Sequence, residues 1–133
     1  MKTSFYLTAF CLVSLSIFLL YAKMGNNTGS IAITASDTDN TYKFTASFDP
    51  NATPRVLYYI NKSIEPTGSG DYFNVTSKRI DVTTRLNDQT EFYIKESPGE
   101  LKVVLDKRKN SQTSALRIKR MCEGIKNLLA GKS

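Results

Sequence analysis

The chain has 133 residues, of which 41% are apolar and 23% charged, the balance of a folded globular protein rather than a disordered one. Its formal net charge is +6; it holds two cysteines and no histidine. With no histidine and only Cys122 outside the N-terminal apolar run, Ser-His-Asp and Cys-His nucleophilic sites and ordinary zinc sites are excluded, so the expectation is a non-enzymatic protein without a cofactor.

The N-terminus has the layout of an export segment. Lys2 supplies a basic start, Phe5 to Ala22 contain no charge, and Lys23 ends the run. Residues 1–22 are read as a signal peptide or a signal anchor, apolar on every face and helical. Ala22 suits the position before a cleavage point, whereas Leu20 is a poor fit two residues earlier. The 18 uncharged residues from Phe5 to Ala22 sit at the lower edge of what spans a bilayer. Lipidation at Cys11 is a poor third reading, because Phe10 precedes it. Either main reading exports the domain to the periplasm, the cell envelope or the exterior, with the segment in contact with the membrane during export or permanently.

Residues 23–30 read as a flexible linker and residues 31–130 as a single α+β domain. Ile31, Ile33 and Ala35 alternate with Ala32, Thr34 and Ser36; Tyr42, Phe44, Ala46 and Phe48 alternate with Lys43, Thr45 and Ser47. Each run predicts a half-buried strand, joined into a hairpin by Asp37-Thr38-Asp39-Asn40. Thr53-Pro54 predicts a helix start, with the threonine hydroxyl as cap, and Val56, Leu57, Ile60 and Ile64 form one stripe before Pro66 stops the helix. Residues 67–71 are expected as a loop, and a long strand is expected from near Tyr72 to Leu86. Phe92 and Ile94 mark the next strand, and Leu101, Val103 and Leu105 the last. Ser97-Pro98-Gly99-Glu100 has the order of a type II turn between these two.

Ser111 or Ser114 can cap the final helix. There Ala115, Ile118, Met121, Cys122, Ile125, Leu128 and Leu129 fill an arc of about 140° at 100° per residue, and Gly131 closes it. The element order is ββαβββα: a single antiparallel sheet of about five strands with two helices packed on one face, preceded by the export helix. Cys122 falls on the apolar helix face and reads as a small hydrophobe, with pairing between chains as the alternative.

Charge is unevenly distributed. From Lys107 to Ser133 eight basic residues face only Glu123, against eight basic and eleven acidic residues from Met24 to Asp106. Arg117, Lys119, Arg120 and Lys126 flank the apolar arc of the last helix on both sides, a placement that suits solvated charges whose stems lie along the core edge. They are also the candidate contacts for an anionic lipid or polysaccharide. Nucleic acid is not expected of an exported chain that lacks an aromatic-basic recognition motif.

The outward sheet face is expected to carry Lys43, Thr45, Ser47, Arg79, Asp81, Thr83, Arg85, Glu91, Tyr93, Lys95 and Lys102. A ligand or partner surface there would centre on Tyr93 with Arg85 and Lys102. Asp37 to Thr41 spaces two acids as a calcium loop does, but without the glycine and distal glutamate, so a plain turn is expected. Asn-x-Ser/Thr triplets at Asn26, Asn51, Asn61 and Asn74 matter only in a host that glycosylates exported proteins.

The functional expectation is a non-enzymatic exported domain with a binding or structural role in the periplasm or cell envelope, its partner an envelope component or protein. The alternative is a module that associates with anionic surfaces through the basic C-terminal helix.

Overall fold

In the computed structural model, residues 17–23, 30–64, 73 and 79–131 are described. Tyr42, Phe44 and Ala46 are buried while Lys43 and Ser47 are exposed, the two-residue period of a strand with one wet side. That strand, β3 (Thr41–Ser47), forms a hairpin with β2 (Ser30–Asp37), and Ala35 stands opposite Phe44. The turn closes as expected: the Thr38 N–H donates to the Thr41 carbonyl (2.9 Å), and the Thr41 N–H to the Thr38 hydroxyl (3.1 Å).

A 3₁₀ turn, Pro50–Ala52, leads into helix α1 (Thr53–Ile64). Val56, Leu57, Ile60, Asn61 and Ile64 are its buried face. The expected cap is used differently. The preceding turn is capped by Asp49, whose carboxylate accepts the Asn51 N–H. Thr53 is left to bind across the fold, its hydroxyl accepting the Gly99 N–H at 2.9 Å.

Three antiparallel strands follow: β4 (Ile80–Arg85), β5 (Glu91–Ser97) and β6 (Glu100–Asp106). The described strand begins at Ile80; the expected start near Tyr72 and the expected loop over residues 67–71 lie outside the described residues. The turn between β5 and β6 requires Gly99. Its φ is +79°, and a Cβ there would lie 2.8 Å from the Phe48 carbonyl oxygen. Helix α2 (Gln112–Leu129) starts at Ser111, whose side chain accepts the Ser114 N–H, and ends before Gly131 at φ +75°.

With an N-terminal strand β1 (Ile17–Lys23), the sheet order is β1-β2-β3-β6-β5-β4, so β3 and β6 join the hairpin to the meander at the centre. Both helices cover one face. Phe44, Phe92, Ile94, Val103 and Leu105 from the sheet, Leu57 and Ile60 from α1, and Ile118 and Ile125 from α2 form one buried cluster. The helices approach closely at Gly124, where an added Cβ would collide with the Tyr59 ring. Five antiparallel strands with two helices is the α+β domain expected.

The sixth strand, β1 (Ile17–Lys23), was not expected. It pairs antiparallel with β2 from Ile17 opposite Ser36 to Lys23 opposite Ser30. Residues 17–22 of the expected export helix are therefore extended here, and residues 1–16 lie outside the described residues. The physical reason is the free edge of β2, a row of backbone donors and acceptors with no charged or proline residue from Ser30 to Ser36 to deter a neighbour. Residues such as Ile17, Phe18 and Tyr21 also suit a strand as well as an apolar helix.

Candidate functional site

The outer face of the sheet is fixed by register. Tyr93 stands between Thr83 on β4 and Val104 on β6, and Arg85 opposite Glu91. Lys95 stands between Asp81 on β4 and Lys102 on β6. Lys102 in turn faces Thr45, and Lys43 faces Val104, so Lys43 is the diagonal neighbour of Lys102. The expected outward residues on β3, β5 and β6 do share this face, and Arg85 and Lys102 lie on opposite diagonals of Tyr93.

Their partners differ. Arg85 is tied to Glu91 by an ion pair of 3.0 Å. The Tyr93 hydroxyl donates to Asp81 Oδ1 at 2.8 Å, and this hydrogen bond holds its pKa above the ordinary value. Lys43, Lys95 and Lys102 take part in none of the ion pairs formed among the described residues. Two of the three, Lys95 and Lys102, are opposed directly across adjacent strands, an arrangement that costs stability.

Beside this lysine group the face is recessed into a shallow trough of about 330 Å³, whose lining includes Thr34, Thr45, Ser47, Ser97, Lys95 and Lys102. Glu100 also lines it and is its one acid. The lining therefore mixes hydroxyls from β2, β3 and β5 with Ala32, Ala46 and Leu101, and Lys95 and Lys102 border it. Neither Lys43 nor Lys95 stands out from the other exposed lysines in the sequence alone; the β3–β6 pairing brings Lys43, and the β5–β6 pairing Lys95, to Lys102.

The basic helix is employed differently. Arg117 donates to Asp88 Oδ2 (2.5 Å) and to the Ile64 carbonyl (2.6 Å), pinning the end of α1 and the β4–β5 turn to α2. Lys119 bonds Asp37 Oδ2 at 2.7 Å, and Lys107 bonds the other oxygen of the same carboxylate. Burial pushes the Asp37 pKa upward, but the two lysines outweigh it and hold the carboxyl below its ordinary range. The expected turn acid is thus a clamp between the β2–β3 hairpin and α2. Lys126 pairs with Glu123 at 2.9 Å. Arg120 forms no ion pair among the described residues and borders a groove with Tyr59, Leu116 and Met121. Three of the four helix cations are thereby matched to anions of the fold itself.

Two buried groups complete the inventory. Cys122 is fully buried, and burial pushes its thiol far above the ordinary range, so it is a core residue rather than a pairing thiol. Glu96 points to the helix side of β5, opposite Ile80 and Leu101, and is only 1% exposed. Neither carboxylate oxygen has a hydrogen-bond partner among the described residues, and burial raises its pKa above the ordinary value. Its position was legible: it follows Phe92 and Ile94 on the same two-residue period, and only its charge hid it. Among the described residues no three His, Cys, Asp or Glu side chains gather in a way that could hold a metal ion.

Comparison with protein-family models, with curated proteins and with solved structures finds no match for this chain.

Proposed function

We propose that the chain is an exported, non-enzymatic binding domain of the periplasm or cell envelope that meets its partner through the open face of its sheet. The observation that carries this reading is the asymmetry of the sheet. One face is covered by both helices, while the other presents Lys43, Lys95 and Lys102, which form no ion pair among the described residues, beside a trough lined in part by hydroxyls. The face also carries neighbours of opposite sign, Arg85 with Glu91 and Lys95 opposite Asp81, but Lys95 and Lys102 oppose one another directly. Opposed lysines retained next to a recess suit a surface that is covered in use.

Export draws on the uncharged run from Phe5 to Ala22, and the fold is compatible with its removal. β1 pairs only with β2, at the end of the strand order, so its departure leaves the central β3–β6 pair and both helices in place.

The test is fractionation of cells expressing the tagged full chain, with the N-terminus of the recovered protein determined. The native protein is expected outside the cytoplasm and retained with envelope material. Thr45→Trp, which fills the trough without touching the core, is expected to release it while leaving its melting temperature within the spread of replicates. Cytoplasmic recovery defeats the export reading, and undiminished retention of the Thr45→Trp protein defeats the choice of face.

A further inference from the structure

We infer that the Lys43–Lys95–Lys102 group binds an anionic saccharide, a sugar chain bearing carboxylate, sulfate or phosphate groups. This rests on the sheet face being the contact surface and names the chemistry of what it contacts.

Charge selects the ligand's sign. Lys95 and Lys102 stand directly opposite one another and Lys43 lies on the next diagonal, so three lysines share neighbouring positions on adjacent strands about 4.8 Å apart, with Asp81 the acid beside Lys95 on β4. None is spent in an ion pair with another described residue. An anion placed among them converts the like-charge cost into a gain, which makes the cluster more favourable with ligand than without it.

The neighbouring groups select a sugar. Thr34, Thr45, Ser47 and Ser97 line the trough, and each hydroxyl both donates and accepts, the pairing that sugar hydroxyls need. Tyr93 lies on the same face, one diagonal from Lys102, with its hydroxyl held by Asp81. The ring is thus pre-oriented as an apolar platform for a sugar face. A flat lipid surface matches this shape less well. The basic groups border a recess, and the sizeable apolar side chains of the outer face of β3–β6 are Tyr93 and Val104, neither fully exposed, so nothing there inserts among acyl chains. Arg120 on α2, whose neighbouring cations are already matched, provides an internal control.

Polygalacturonate, a uronate polymer, serves as probe, with neutral dextran and phosphatidylglycerol vesicles as the other arms, all titrated into the intact exported protein. Polygalacturonate is expected to bind, to weaken steeply with salt, and to lose about tenfold in affinity in the Lys95→Gln/Lys102→Gln protein, the effect of two exposed charge contacts. Arg120→Gln is expected to bind within about twofold of the parent, and dextran not to bind. Because the double substitution removes a like-charge pair, its folded state is expected to be at least as stable as the parent, so lost binding is not lost folding. Absence of polygalacturonate binding at low salt, equal loss in Arg120→Gln, or binding to the vesicles alone overturns the inference. The envelope-retention experiment with Thr45→Trp is read separately, so a face that retains the protein without binding the polymer defeats only the saccharide.

Discussion

Asn61 and Phe73 hold each other by two reciprocal hydrogen bonds: the Asn61 amide donates to the Phe73 carbonyl, and the Phe73 N–H donates to Asn61 Oδ1, both at 2.8 Å. Asn61 is fully buried on α1, and Phe73 is buried in the same core cluster. A side chain of the helix thus acts as a strand partner for the chain twelve residues later. The asparagine of the Asn-x-Ser/Thr triplet at this position is therefore in the interior of the folded protein, while Lys62 beside it is exposed.

Asn61→Leu keeps the branched shape and removes both hydrogen bonds at a fully buried position. It is expected to destabilise the fold by about 1–3 kcal/mol, read as a lower urea midpoint. Asn51→Leu, at an exposed triplet, is expected to leave the midpoint nearly unchanged. Equal midpoints for Asn61→Leu and the parent would remove the pairing from the account of stability.

Glu96 sets a pH dependence. Its folded-state pKa is raised by burial above the ordinary value of 4.5, so the folded chain holds the proton more tightly than the unfolded one. Its contribution is therefore most favourable below the unfolded value and is lost as pH rises through the raised one. Glu96→Met, apolar and of similar length, is expected to stabilise the protein by roughly 1–3 kcal/mol at pH 8, with a smaller gain near pH 4. Thermal melts across that range check it; a constant difference, or a loss at pH 8, contradicts it.

Asp37 works in the opposite sense. Held below its ordinary 3.8 by Lys107 and Lys119, it contributes stability above that value that is lost as the pH falls through its lowered one. Asp37→Asn is expected to cost about 1 kcal/mol at pH 7 and progressively less as the pH falls through the lowered value, where the parent carboxyl takes up its proton. The cost at pH 7 should also shrink in high salt, because both lysines remain partly exposed.

Gly99 is a backbone position with little latitude. Gly99→Ala must adopt φ +79° and meets the Phe48 carbonyl oxygen at 2.8 Å, so a loss of roughly 1–2 kcal/mol is expected. Pro98→Ala, which changes the neighbouring residue of the same turn, is expected to cost less. The ranking of the two denaturation midpoints decides whether the strain lies at the glycine.

The hairpin, the β4–β6 meander and the C-terminal helix were legible because each is coded by local period. Phe44 and Lys43 must lie on opposite sides of any strand that contains both, and Ile118, Cys122 and Ile125 must share a helix face. The turn at Pro98-Gly99 and the cap at Ser111 are local for the same reason. These patterns set two-residue and 3.6-residue geometry without reference to the rest of the chain.

What local pattern does not carry is which element lies beside which. The β3–β6 pairing, which sets Lys43 near Lys102, and the docking of α2, which spends Lys119 on Asp37 and Arg117 on Asp88, join residues far apart in the chain, and only packing selects them. The same holds for Ile17–Lys23, whose apolar residues satisfy a bilayer helix or a strand equally well until the open edge of β2 offers backbone partners. Composition and period by themselves determined an α+β domain with one wet sheet face. Tertiary structure decided which cations that fold pairs with its own anions and which it leaves without an ion pair among the described residues, because ion pairing depends on distances of a few ångströms that sequence spacing does not specify.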